Sequence, residues 1–175
     1  IHPFIRLDAL PVPVDWSQRE PDTAVIYAKA STPVEPLVKA FLDRLAARHP
    51  GVRARFTVIQ RGVPHAELMA LLARTRHVVA LSPVEGFGLL PLEAMACGCA
   101  VVGFHGGGGL DYMTAENSRC VGYPRLDALV DHFAAVIGDP ALGEALGARG
   151  RVDARRFTPA RFDAAFVDYL RAFGA

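Results

Sequence analysis

Lysine is nearly missing from this chain: Lys29 and Lys39 stand against seventeen arginines in 175 residues. The skew reads as codon bias of a GC-rich genome more than as function, and acidic and basic side chains balance to a net charge of +1. So small a charge excludes electrostatic capture of nucleic acid or of an anionic membrane as the basis of function. Cysteine is scarce as well. Cys97, Cys99 and Cys120 are odd in number, and the first two are too close to pair across a helix end, so no disulfide framework is expected. A C-G-C step with no neighbouring Cys or His pair is also a poor zinc site. Buried, reduced thiols imply a reducing, cytoplasmic compartment. No apolar run reaches the ~18 residues of a membrane span, and no basic n-region followed by an apolar h-region is present. The chain opens on Ile1 rather than Met, as expected of a fragment or an expressed domain.

What the chain does have is 51% hydrophobic residues over a single domain's length, enough for one core. It is organised around Glu85–Glu93, E-G-F-G-L-L-P-L-E, with an apolar strand V-V-A-L-S before it and a helical E-A-M-A-C-G after it. The strand should end near Ser82 and the helix begin near Pro91, a residue that loses no useful donor at a first helical position. Between them a glycine loop can approach a ligand closely, and free N–H groups at the helix N-terminus suit phosphate. Two carboxylates bracket this anion site, and their acceptor-only chemistry suits sugar or ribose hydroxyls. The bland alternative makes Glu93 a favourable charge on a first helical turn and Glu85 a surface loop residue.

Along the chain, strands are expected at 24–28, 56–60, 77–81, 100–104 and 119–123, with helices at 34–49, 64–75 and 90–97 between them. Such alternation argues a parallel sheet covered on both faces, a Rossmann-like doubly wound α/β fold. Three C-terminal helices follow at 126–137, 141 to about 157, and 159–173, the first ended by Asp139 and Pro140. The last carries Phe162, Phe166, Tyr169, Leu170 and Phe173, a stripe read as core packing. Residues 1–22, with Pro3, Pro11, Pro13 and Pro21, favour extended chain. They read either as an entering segment ahead of one domain over 23–175 or as an edge strand and loop with Trp16 tucked against the body.

Glu85 and Glu93 resemble the E-x7-E motif of retaining GT-B glycosyltransferases, the group 1 family. The resemblance runs from Ser82 to Gly103, S-P-V-E-G-F-G-L-L-P-L-E-A-M-A-C-G-C-A-V-V-G, and more loosely over the last two-thirds of the chain. It implies a C-terminal, donor-binding half whose N-terminal acceptor-binding half is missing here, and I-x-P-F-I resembles the crossover between the halves. By the same resemblance the ligand is a nucleotide-diphosphate sugar, UDP-, GDP- or ADP-linked, transferred with retention and without a metal or other cofactor. Glu85 would lie at the donor sugar, Glu93 on ribose hydroxyls, and Gly86, Phe87, Gly88, Leu89 and Leu90 would line the sugar and diphosphate with backbone N–H groups.

The family usually places an arginine and a lysine after the first strand to neutralise the phosphates; this chain has only Lys29 there, in A-K-A-S-T-P. Lys29 is therefore either a phosphate ligand with a catalytic part beside Glu85 or a solvated loop lysine. Arg61 stands where the family's loop lies beside the base, and reads equally as a solvated arginine. The run H-G-G-G-G-L-D, His105–Asp111, matches a family glycine loop facing the donor, which brings in Gly107, with Asp111 where glutamate is more usual. The depleted cation loop leaves a second reading open, a non-catalytic nucleotide or nucleotide-sugar binding module.

Overall fold

The computed structural model describes residues 2–28, 34–59 and 62–174. Five strands, β1 (Glu20–Tyr27), β2 (Arg55–Ile59), β3 (Thr75–Ala80), β4 (Ala100–Phe104) and β5 (Ser118–Val121), form one parallel sheet in the order β2-β1-β3-β4-β5. Six α-helices accompany them: α1 (Val34–Arg48), α2 (His65–Leu72), α3 (Leu89–Ala96), α4 (Leu126–Gly138), α5 (Pro140–Ala154) and α6 (Pro159–Ala172). This is the Rossmann-like doubly wound arrangement expected from the alternation of elements. β1 starts at Glu20, inside the proline-bearing opening stretch.

Strand alternation sorts the core into two layers. Val25, Val78 and Val101 point to one face, where α2 and α3 supply Leu68, Met69, Leu72, Leu92 and Met95. Ala24, Ile26, Val79 and Val102 point to the other, where α1 and α4 supply Phe41, Leu45, Leu129, Val130 and Phe133. The central strands β3 and β4 are buried on both faces, whereas the edge strand β2 leaves Arg55 and Thr57 exposed. Buried Arg19 ties the opening segment to this body, donating to the carbonyls of Val14 at 2.8 Å, Thr75 at 2.8 Å, Cys97 at 2.9 Å and Gly98 at 3.3 Å.

Asp139 does end α4, and it also starts α5: its carboxylate accepts from the N–H groups of Ala141 and Leu142, with Pro140 in the first turn. Helix α2 is shorter than expected, because Thr75 already belongs to β3. The larger difference is α6. None of its residues is buried, and Phe166, Tyr169, Leu170 and Phe173 lie on the surface, Phe173 at 73% exposure. Its aromatic stripe is therefore not core packing. Phe162 stacks on Phe166 and meets the ring of Phe4, and Tyr169 meets Phe173, so the rings contact one another rather than the sheet.

Candidate functional site

In a parallel sheet all strands deliver their C-terminal ends to one edge, and a crevice opens where the strand order reverses direction. Here the order reverses between β1 and β3. Tyr27 ends β1, and the loop from Leu81 to Gly88 leaves β3 beside it. The Tyr27 hydroxyl donates to Glu85 Oε1 at 3.4 Å. Burial and the charges of Glu85 and Glu93 push the Tyr27 phenol up to about 12, so it keeps its proton as a donor.

Glu85 is held by a second loop. Its N–H donates to the Gly106 carbonyl at 2.8 Å, its own carbonyl accepts from Gly108 N–H at 3.2 Å, and Glu85 and Gly107 form a short parallel bridge. The two backbones are so close that a Cβ on Gly108 would sit 2.2 Å from the Gly86 carbonyl oxygen. This contact explains why the run His105–Asp111 is so rich in glycine. His105 Nδ1 accepts from Gly107 N–H at 3.1 Å, so that donor serves the loop itself.

Helix α3 starts at Leu89, just ahead of the expected start at Leu90 or Pro91, because Gly88 takes a left-handed φ of 83° and turns the chain into the helix. Tyr112 pins this turn by donating to the Gly88 carbonyl at 2.5 Å. The early start moves Pro91 to the third helical position and Glu93 to the fifth, past the first turn. Glu93 is then too far along to be explained as a first-turn charge favoured by the helix dipole. The N–H groups of Leu89 and Leu90 come at the helix start, where donors lack intrahelical acceptors. Leu90 is buried, Leu89 exposed, and the Phe87 ring is packed among Tyr112 and Phe157 at 5.2 and 5.5 Å, leaving its backbone as the part that faces the loop.

Glu93 emerges on the same edge with 15% of its side chain exposed, and its Oε1 is 2.8 Å from Nε2 of His65, the first residue of α2. A carboxylate only accepts, so Nε2 donates. The crevice thus brings together Glu85, Glu93, Gly86, Phe87, Gly88, Leu89 and Leu90 from the motif, with Gly107 alongside. Lys29 and Arg61 lie outside the described residues. Asp111 turns away from this group to His2, at 3.3 Å, in a separate cleft shared with Arg156 and Arg161.

Sequence reasoning misses Tyr27 and His65. The signal for both was positional: each stands at the sheet edge, one ending the first strand and the other opening the helix after the second. Among the described residues no cluster of three or more His, Cys, Asp or Glu is placed to hold a metal ion. No helix of the described residues is long and apolar enough to cross a membrane.

A doubly wound sheet whose switch point gathers two carboxylates, a phenol and a helix N-terminus defines an α/β domain with a polyol- and anion-compatible crevice. The chain belongs to the glycosyl transferases group 1 family, whose model matches residues 42–153. It is 31% identical over 144 residues to a GDP-mannose-dependent alpha-(1-6)-phosphatidylinositol monomannoside mannosyltransferase of Mycolicibacterium smegmatis, covering 77% of this chain and 35% of that protein. A GDP-mannose-dependent monoacylated alpha-(1-6)-phosphatidylinositol monomannoside mannosyltransferase of Corynebacterium glutamicum is 35% identical over 86 residues, covering 49% of this chain and 22% of its own. The chain thus spans about a third or less of these curated relatives.

Solved GT-B glycosyltransferase structures share the fold. A variant of S. aureus TarM in complex with Fondaparinux, alpha-GlcNAc-glycerol and UDP superposes with a TM-score of 0.73 at 16% identity, over 98% of this chain and 38% of that one. The C-terminal domain of a glycosyl transferase group 1 family protein from Francisella tularensis matches with a TM-score of 0.62 at 19% identity, over 86% of this chain and 96% of that one. The architecture is that of a C-terminal GT-B half.

Proposed function

We propose that this chain is the donor-binding half of a retaining GT-B glycosyltransferase and that it binds a nucleoside diphosphate sugar without a metal. The observation that carries the reading is the placement of Glu85 and Glu93 at the switch-point crevice, with the N-terminus of α3 between them. In this assignment Glu93 accepts from the ribose hydroxyls, the N–H groups at Gly88, Leu89 and Leu90 face the diphosphate, and Glu85 lies at the sugar, steadied by Tyr27. Lys29 serves the phosphates and Arg61 the base end. GDP-mannose is the donor we favour, supported by the relative at 31% identity that is described as GDP-mannose-dependent.

Transfer breaks the bond from the sugar's anomeric carbon to the diphosphate oxygen, which leaves with the electron pair, while the acceptor hydroxyl adds to that carbon and its proton passes to the departing diphosphate. Backbone dipoles aimed at the leaving diphosphate would be the main catalytic contribution. The acceptor would sit on an N-terminal half of the protein. The solvent-facing rings of α6 and Phe4 support a covering partner domain there. Three unpaired, largely buried cysteines support a reducing, cytoplasmic setting.

Two substitutions test the assignment. Glu93→Gln should weaken GDP by ~1.5–3 kcal/mol, the worth of hydrogen bonds to a charged group. Glu85→Gln should leave GDP unchanged and alter only GDP-mannose. Equal, negligible effects of both variants on both ligands, with melting temperatures intact, would show that the carboxylates are ordinary surface groups.

A further inference from the structure

Outside the motif, the side chain that engages the candidate ribose carboxylate most directly is His65. It opens α2, just past the loop that follows β2, and it reaches across to α3 rather than along its own helix. Its ring is 62% exposed, whereas Glu93 is only 15% exposed, so the bond ties a half-sheltered carboxylate to a side chain at the mouth of the crevice. On the other flank, the charge of Glu93 is felt by the Tyr27 phenol and by the Cys97 thiol, neither of which hydrogen-bonds it. Among the described residues, His65 is the side chain that hydrogen-bonds the Glu93 carboxylate.

We infer that His65 is a positioning residue for nucleotide binding: it holds one oxygen of Glu93 so that the carboxylate presents its remaining acceptor sites to a vicinal diol. The inference rests on the donor-site reading of Glu93. A carboxylate offers about four lone-pair directions over its two oxygens. The His65 Nε2–H takes one, on Oε1, and three remain for the two hydroxyls of a ribose. The histidine and the sugar therefore share Glu93 and do not compete for it. A free glutamate would have to give up rotamer freedom when a diol binds, and a glutamate already held has given it up in folding, which is preorganisation of the site. Only ligands with the diol draw on this arrangement.

The test uses the 175-residue chain, calorimetry, and three probes: GDP, 2′,3′-dideoxy-GDP and pyrophosphate. His65→Ala should weaken GDP by about three- to tenfold, the range of one net hydrogen bond, and leave dideoxy-GDP and pyrophosphate unchanged. His65→Gln, whose amide can donate to the same oxygen, should restore GDP to within about twofold of the parent. Thermal melts of both variants check that folding is intact. His65→Ala binding GDP as tightly as the parent, or more tightly, while Glu93→Gln binds it poorly, would overturn the role of His65 and leave the donor site standing. A uniform loss across all three probes would also overturn it, since a merely structural contact has no reason to distinguish a diol. Unchanged GDP binding by Glu93→Gln would remove the donor-site reading itself, and the role of His65 with it.

Discussion

Burial holds His77 neutral. The ring is almost fully enclosed, packs edge-on against Trp16 and Phe133, and donates from Nδ1 to the Thr23 carbonyl at 3.1 Å. Desolvation pushes its pKa down to about 4 from the ordinary 6.5. Between those values the unfolded chain binds the proton and the folded one does not, so stability rises with pH through the window. Stability fully present above about pH 6.5 is lost as the pH falls to about 4, by up to about 3 kcal/mol. Urea unfolding of the parent and of His77→Leu at pH 7 and pH 4.5 reads this directly. The variant should show a profile flatter by about 2 kcal/mol over that interval, and equal slopes would place the acid sensitivity elsewhere. The same scale shows which site residues are legible in sequence. Glu85 and Glu93 are, because one contiguous motif carries both along with the loop and helix that present them. The partners of those carboxylates are not, because Tyr27 and Glu85 are 58 residues apart and His65 and Glu93 are 28 apart. Such pairs follow from which strands are neighbours, and the order β2-β1-β3 is not written in any local spacing.

At the level of elements, periodicity finds the five strands and six α-helices of the described residues but misplaces the start of α3 and misjudges what α6 faces. Gly88 explains the start of α3: its left-handed backbone replaces the proline-led start expected from Pro91. Helix α6 is the clearer lesson. An amphipathic stripe states that one face seeks an apolar partner and does not say which. Phe133 on α4 finds that partner within the chain, fully buried with Phe41 and Phe56 each 5.6 Å away, while the rings of α6 stay on the surface. The two helices should therefore respond differently to truncation. Phe133→Ala should cost ~3–5 kcal/mol, and Tyr169→Ser no more than about 0.5 kcal/mol, the scale of surface changes. Chemical denaturation of the two variants tests this. Comparable losses would mean that α6 packs into the core in solution.

Over the whole molecule, fold and site follow from one geometric fact, the reversal of strand order between β1 and β3. That reversal opens the crevice, the motif loop and the glycine loop are stitched together beside it, and α3 begins directly after the motif loop. On the donor-site reading, this edge is a preformed site for a nucleoside diphosphate. Isothermal titration of the 175-residue chain with GDP, UDP and ADP, in buffer containing EDTA, tests it most directly. Binding should be saturable without metal, with GDP the tightest of the three. No heat from any of the three, on protein shown to be folded by its melting transition, would contradict it.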